Sequence, residues 1–552
     1  MTAETDRRKR RNQNRSAAVE PRVHKKHRSQ NLSPQQIHQA MTMAANLQSQ
    51  GRLEEAAEII RRMTEVAPAL PEVHFALAAV YEDLRALDQA AASYRVVLRL
   101  DPGCFAAWVN LGACQEDLGE LAAAETSFER AIALQPNMPE GWANLAHVHA
   151  ARGEHLAAIA TLERAIALAP DRGTFHSNLG NALWKVGRLG EAVESFRRAI
   201  ALRFEPAGVY LGLAAALKIM GFVDEAIAAL DRAVRLYPKN PSVHLQRALV
   251  LLLDGRWNEG WAEYEWRWKD PNFVSPRRTY PVPIWNGEAL EGKRILLHWE
   301  AGFGDTIQFA RFAALVKARG AEKVLVELQR PLCRLLQDVE GIDAVVPSGA
   351  SFPPFDCHAP LMSLPRLLGV RPTTIPHSDG YLRPDPALVE SWAATLGALN
   401  GLKVGICWQG SPTQADNRFR SIPPVELCAL LALPGISWVS LQKDLSAEGL
   451  PKIGLDDFAD TAAVISNLDL VVTVCTSVAH VAGAMGKPTW IVVHAGPDWR
   501  WLRSGERSSW YSSVRLFRQK NPGNWLGVLR DVADALSSRT ASIGAVARRD
   551  LG

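Results

Sequence analysis

The chain has 552 residues, room for several domains, and its 47% hydrophobic and 22% charged residues are those of a globular protein with ample core. A formal net charge of +4 gives no argument for nucleic-acid binding, and seven cysteines with no C-x-x-C pair and no zinc spacing argue against a disulfide framework or a structural metal. With no run of 18 apolar residues and no apolar signal-peptide core, neither a membrane span nor secretion is expected, and a cytoplasmic location with reduced thiols is the default.

Residues 1–33 are polar and basic (Arg7, Arg8, Lys9, Arg10, Arg11, Lys25, Lys26, Arg28) and are expected to form a disordered tail. Such a tail implies no specific nucleic acid and leaves peripheral contact with acidic lipid open.

From Ile37 a repeat begins. Gly51, Gly119, Gly153, Gly187, Gly221 and Gly255 fall on one 34-residue grid, with Arg85 in the vacant slot. Ala56, Ala90, Ala124, Ala158, Ala192 and Ala226 form a second column. Pro68, Pro102, Pro136, Pro170 and Pro238 form a third, in which Phe204 is the exception. The period is that of tetratricopeptide repeats. Small alanines let two helices cross closely, glycine serves the turn between them, and proline ends each unit. Seven units are expected over 37–70, 71–104, 105–138, 139–172, 173–206, 207–240 and 241–270, within a solenoid spanning 34–270. Asn110, Asn144 and Asn178 recur at one position of the first helix, where they could hold the backbone of an extended peptide. Solvated or repeat-bridging asparagines are the alternative.

The last repeat carries Trp257, Trp261, Tyr264 and Trp268 on one helix face, a stripe suited to docking the solenoid on the C-terminal half of the chain. Residues 271–290 read as a connector. Short apolar strands at 295–299, 324–328 and 344–347 then alternate with helical stretches. A second set occupies 404–408, 438–441, 470–474 and 489–493. This is the pattern of two doubly wound α/β lobes, 291–395 and 396–538, with the crossing at about 383–401 and a loose tail over 539–552.

The chemistry is expected at the strand ends. Residues 468–493 read as strand, polar turn, helix and strand, with Thr476 and Ser477 where the helix starts and its N–H groups are free. Ligands of open α/β sheets bind there, and phosphates favour helix N-termini. An ordinary helix cap is the alternative. In the first lobe Gly302 and Gly304 permit a tight turn that places Asp305 at a helix start, where capping is its bland role. In the second, Gln409 precedes Gly410, Ser411 and Pro412, and then come Arg418, Arg420, Ser421 and Pro423. An arginine fork suits a diphosphate, and an ordinary surface arginine is the alternative. Asp498, Trp499 and Arg500 come after the next strand, near the same cleft, where they could hold a base or sugar or simply pack.

Seven segments together resemble the heptosyltransferase-like glycosyltransferases (family 9), in the bacterial subgroup with N-terminal tetratricopeptide repeats. They are GFGDTIQFAR (302–311), GICWQG (405–410), RFRSIP (418–423), TSVAH (476–480), GKPTWIV (486–492), PDWRW (497–501) and WYSSVRLFRQ (510–519). The order of repeats before transferase is also similar to O-linked N-acetylglucosamine transferase. The resemblance implies an α-solenoid followed by a two-lobed α/β GT-B glycosyltransferase. It implies a nucleotide-sugar co-substrate held mainly by the second lobe, and inverting transfer without metal or other cofactor. A protein or glycan acceptor would be recruited by the repeats. Asp305 would be the general base, Arg420 would hold the donor phosphates, the Thr476–Val478 amides would stabilise the leaving diphosphate, and His480 would orient the donor, a buried structural histidine being the alternative. One position departs, because the family usually has Asp-Thr where Cys475 precedes Thr476, and cysteine supplies no carboxylate. Either the donor differs, or donor binding is weak, or the chain is of a different class, a repeat scaffold with an inactive transferase-like half. An enzyme of surface polysaccharide assembly is a third reading.

Overall fold

The computed structural model describes residues 33–549, less 274, 276, 412–416, 444–449 and 451–452. The expected basic tail before Ser33, and Pro412, lie outside the described residues. The chain forms two compact units, Met1–Pro170 and Asp171–Gly552.

The first unit is built of helix pairs: Pro34–Ser49 with Leu53–Val66, Pro71–Asp83 with Leu87–Leu100, Phe105–Asp117 with Leu121–Leu134, and Pro139–Ala151 with His155–Leu168. Pro34, Pro71 and Pro139 stand at helix starts, where the missing N–H costs nothing. Ser33 and Gln36 add a reciprocal capping box. Between paired helices the chain passes through the left-handed region, with φ +75° at Gly51 and +78° at Gly119. Arg85, in the slot without glycine, takes φ +57° all the same. Ala56, Ala90, Ala124 and Ala158 are fully buried where the helices cross.

The second unit begins with three more pairs, Gly173–Val186 with Leu189–Ala201, Ala207–Ile219 with Val223–Leu236, and Pro241–Leu253 with Trp257–Tyr264. Two parallel sheets come next. The first has strands β1 (Arg294–His298), β2 (Lys323–Leu328), β3 (Ala344–Pro347) and β4 (Cys357–Pro360) in the order β3-β2-β1-β4. The second has β5 (Leu402–Cys407), β6 (Ile436–Ser440), β7 (Leu470–Thr473), β8 (Thr489–Val493) and β9 (Val514–Arg518) in the order β6-β5-β7-β8-β9. Parallel pairing requires crossovers, and burial on both faces explains why β7 and β8 are apolar apart from the buried Thr473 and Thr489 at one end of each.

Several expectations need correction. Strand β4 was not anticipated because Cys-His-Ala-Pro lacks a β-branched run, and β9 because Arg515 and Arg518 interrupt its apolar residues. The crossing at 383–401 holds a helix, Pro386–Leu396, capped by the Asp385 carboxylate. Its Trp392 donates to Asp460 at 3.2 Å, which ties it to the second sheet's layer. The last helix runs Trp525–Arg549, so the expected loose tail is helical through Arg549.

Trp257, Trp261 and Tyr264 are buried against the α/β region. Trp257 stacks on Trp510 at 5.0 Å, and Trp261 meets Phe309 and Trp499 edge-on at 5.9 and 5.1 Å. Trp268, the fourth of the stripe, instead lies under the Arg267 guanidinium at 4.5 Å. Arg267 is fully buried and bonds Glu300, 1% exposed, through Nε at 3.1 Å and Nη2 at 2.9 Å. Glu300 also accepts the Met362 N–H at 3.0 Å. The pair joins the end of the last repeat to the turn after β1.

Removing one partner of such a pair strands a buried charge. Arg267→Ala is expected to lower the unfolding free energy of the full chain by about 3–5 kcal/mol in urea titration. The double change Arg267→Met with Glu300→Leu is expected to cost far less. A loss below about 0.5 kcal/mol in Arg267→Ala contradicts a buried pair.

Candidate ligand site at the strand ends

The turns after β1, β7 and β8 converge. β1 passes through Ala301 at φ +61°, a strained value for a residue with a Cβ, into helix α1 (Phe303–Ala310). Gly302 is the N-cap, and Asp305 reaches back from the third helical position to accept the Gly302 N–H at 2.7 Å. Helix α2 (Ser477–Ala484) starts after β7, with its first turn against that of α1. A Cβ on Gly304 would come within 2.8 Å of the His480 ring, so only glycine permits the approach.

Arg500, from the 3-10 turn Trp499–Trp501 after β8, is the centre of this junction and is 7% exposed. Its Nη2 pairs with Asp305, its Nη1 with Asp498 at 2.9 Å, and its Nε donates to Gln308 Oε1 at 2.6 Å. Trp499 lies under the guanidinium at 4.2 Å. Burial works against the Arg500 charge, yet Asp498 and Asp305 hold its pKa above the ordinary value. The two carboxyls diverge. Burial pushes Asp305 above the usual carboxylate range against the pull of Arg500, whereas Arg500 overcomes burial and holds Asp498 below it. Next along the chain from this turn, Leu502 is a second strained residue at φ +54°.

His480 does not face an open cleft. It is 4% exposed, bonded through Nδ1 to the Tyr511 hydroxyl at 2.9 Å and stacked on Trp501 at 5.6 Å. Burial, reinforced by Arg500, drives its pKa down to about 3, so the ring is neutral. The expectation that it orients a donor is corrected to a packing role in α2.

The other expected residues gather where the second sheet's chain order reverses, between β5 and β7. The Gln409 N–H donates to Gln442 Oε1 at 3.2 Å. Gly410 lies against the Arg420 guanidinium, whose Nε donates to Asn417 Oδ1 at 3.4 Å. The Ser421 hydroxyl donates to the same oxygen at 3.0 Å. Arg420 is half-buried, and its charge reaches the Cys407 and Cys475 thiols. Burial pushes Cys475 up to about 12, which makes it an inert thiol. Thr476 is the N-cap of α2, but its hydroxyl meets Thr473 at 3.2 Å and Cys407 at 3.7 Å and makes no cap bond to the helix. Ser477 is half-buried in the first turn.

Arg418 stands apart. Its Nη2 donates to the Trp184 carbonyl of a repeat helix, so the expected donor contact is corrected to a packing contact. Of the expected peptide ladder, Asn110 donates to the Tyr94 hydroxyl at 2.9 Å, Asn144 is half-buried on its first helix, and Asn178 occupies the same place in the fifth repeat. Asn110 is thus partly engaged in repeat packing. Gln308, Arg311, Asn417 and Trp184 were not anticipated. Gln308 was visible as a polar residue three positions after Asp305 in an otherwise apolar helix, and Arg311 as a basic residue three further on, at the helix's C-cap. Among the described residues, Glu125, His149 and Glu154 bring ligand atoms together, but Arg152 pairs with both carboxylates, which makes them a charge network.

The helix pairs define a tetratricopeptide-repeat protein with a C-terminal pair of parallel sheets. Residues 9–249 match the family described as Cilia and flagella-associated protein 70 C-terminal domain. The chain is similar to Protein FlbA of Caulobacter vibrioides, 32% identical over 333 residues, 54% of this chain and 55% of the relative. It therefore spans about half the length of that curated relative. Solved structures similar to it include Pseudomonas aeruginosa pilF, 19% identical with a TM-score of 0.35 over 39% of this chain and 97% of that one. MamA from Desulfovibrio magneticus is 19% identical with a TM-score of 0.29, over 30% of this chain and 94% of that one. No helix among the described residues is long and apolar enough to cross a membrane.

The neutral His480 fixes a pH dependence. An unfolded histidine titrates near 6.5, the folded one near 3, so below about pH 6.5 only the unfolded chain takes up this proton. Stability should fall as pH drops through that window, by up to about 1.4 kcal/mol per unit from this group. His480→Gln is expected to flatten the curve between about pH 6.5 and 5 by roughly 2 kcal/mol. Parallel curves for the two proteins contradict the buried neutral ring.

Proposed function

We propose that this chain is a glycosyltransferase of GT-B architecture that moves a sugar from a nucleotide-sugar donor to a hydroxyl acceptor recruited by its repeats. The observation that carries the reading is the N-terminus of α2, which Thr476 does not cap, at the switch point of the second sheet, with the Arg420 charge reaching the adjacent Cys475. The first-turn N–H groups of the helix, its dipole and a guanidinium form an anion site suited to a diphosphate leaving group. Across the junction, Asp305 and Asp498 share one arginine with their pKa values pushed apart, and Asp305 is the more basic of the two. That suits a general base, which needs a carboxylate able to take the acceptor's proton. The strain at Ala301 and Leu502 lies in the turns that carry these groups. Asp305 would take the hydroxyl proton as the oxygen attacks the anomeric carbon, and the α2 amides with Arg420 would stabilise the departing diphosphate.

A second reading has its own support. Asp305 is already engaged by Arg500 and by the Gly302 N–H, and Cys475 offers no carboxylate. On that reading the α/β half is an inactive platform and the chain is a protein-interaction scaffold, since stacked repeats present extended binding surfaces.

A thermal-shift screen of the full chain against UDP-, GDP-, ADP-, CMP- and dTDP-sugars separates the two. The transferase reading expects one nucleotide class to raise the midpoint, by the equivalent of about 2.7 kcal/mol at a hundred times its Kd, and Arg420→Ala to abolish the shift. No shift with any donor favours the scaffold.

A further inference from the structure

The segment that carries Arg420 is seated on the repeats. Its helix, Asn417–Arg420, has four residues, too few to be stable on hydrogen bonds of its own. The ring of Phe419 meets Trp184 edge to face at 6.1 Å. The Arg418 guanidinium lies over Trp184 at 4.9 Å and over Phe419 at 4.5 Å, and also donates to the Trp184 carbonyl. Trp184 closes the helix Gly173–Val186, one turn before Gly187, whose φ of +86° ends it. On the other side of the short helix, Asn417 is 8% exposed and accepts bonds from both Arg420 and Ser421. A stack on Trp184 thus fixes one face of the segment, and Asn417 transmits that position to the arginine.

Neighbouring repeat turns make similar contacts. The backbone of Ile219 presses on Gly496 in the loop after β8. Arg503, in the same loop, pairs with Asp224 at 2.9 Å and Asp254 at 3.1 Å, while its N–H donates to the Leu253 carbonyl at 3.2 Å. Three successive repeats therefore hold the two loops that carry Arg420 and Arg500.

We propose that the repeat turns of 173–256 form a wall of the strand-end site and that Trp184 is the positioning residue for Arg420. This rests on Arg420 being the diphosphate ligand. The repeats then have two faces of use, one for recruiting a partner and an edge that shapes the donor site. A partner that displaced the Trp184 contact would weaken donor binding without touching it.

The test uses full-length wild type, Trp184→Ala, Trp184→Phe and Phe419→Ala. Hydrogen exchange is read at the Ser421 and Ile422 amides, which donate to Asn417 at 3.0 Å and Trp408 at 2.9 Å. Inorganic pyrophosphate, the group shared by all nucleoside diphosphates, is the binding probe, measured by calorimetry. Trp184→Ala and Phe419→Ala are expected to exchange these two amides about tenfold faster and to weaken pyrophosphate about tenfold, with Trp184→Phe close to wild type. Unchanged exchange in the helix Leu189–Ala201 shows that the repeat remains folded. Equal exchange of the two amides in wild type and Trp184→Ala overturns the inference. So does faster exchange with undiminished affinity. A wild type that binds neither pyrophosphate nor any nucleotide sugar overturns the donor reading itself, and the exchange contrast still decides whether Trp184 seats the segment.

Discussion

One buried guanidinium joins the two sheets. Arg500 comes from the loop after β8, and its partners Asp305 and Gln308 stand on the helix after β1. Burying a charge costs several kcal/mol unless it is fully paired, so this loop and this helix cannot part cheaply. Much of the surrounding geometry depends on that restraint. Gly304 must lack a side chain because α1 is drawn against α2. Arg311, one turn on from Gln308, is fully buried and donates to the Trp510 carbonyl at 2.8 Å, between the faces of Tyr381 and Tyr511. Tyr381 in turn donates to the Ile307 carbonyl at 2.5 Å. Cations held by carbonyls and aromatic faces do here what an apolar interface would do with less specificity.

The last repeats extend the same junction. Trp261 touches Phe309 of the first α/β layer and Trp499 of the second, so a single indole bridges both. Arg267 and Glu300 fix the turn that presents Asp305 from behind. A carboxylate in this position is held rigidly and kept partly dry, conditions that raise its basicity and also commit it to structure. The two proposed readings differ on which of these consequences matters. Transfer requires that an acceptor hydroxyl reach Asp305 while Arg500 remains bound to it. A scaffold requires only the pairing.

Much of this was legible in the sequence. The repeat period, the alanine column and the turn glycines each express one local requirement at a fixed spacing, so they could be read directly. The apolar strands β7 and β8 were equally plain, because burial on both faces leaves an unbroken run. β4 and β9 were hidden because their residues are chosen by neighbours rather than by the strand. Within the site, Asp305 and Arg420 were visible as motif residues at strand ends. The pairings were not: Arg500 was also named, but it lies 195 positions from the Asp305 it binds, and Arg418 lies 234 from Trp184. His480 and Arg418 show the limit of motif reading. Each occupies a motif position, yet burial by Tyr511 and Trp501 in one case, and a repeat helix in the other, assigns it a different task.

The most direct test of the account is a double-mutant cycle of Asp305→Asn and Arg500→Gln on unfolding free energy. A buried pair that couples the two sheets predicts a coupling energy of about 1.5–3 kcal/mol, with the double variant no less stable than the worse single one. Effects that add to within about 0.5 kcal/mol would contradict it and would leave the two α/β layers joined by their other contacts, among them the Arg311 bond to the Trp510 carbonyl.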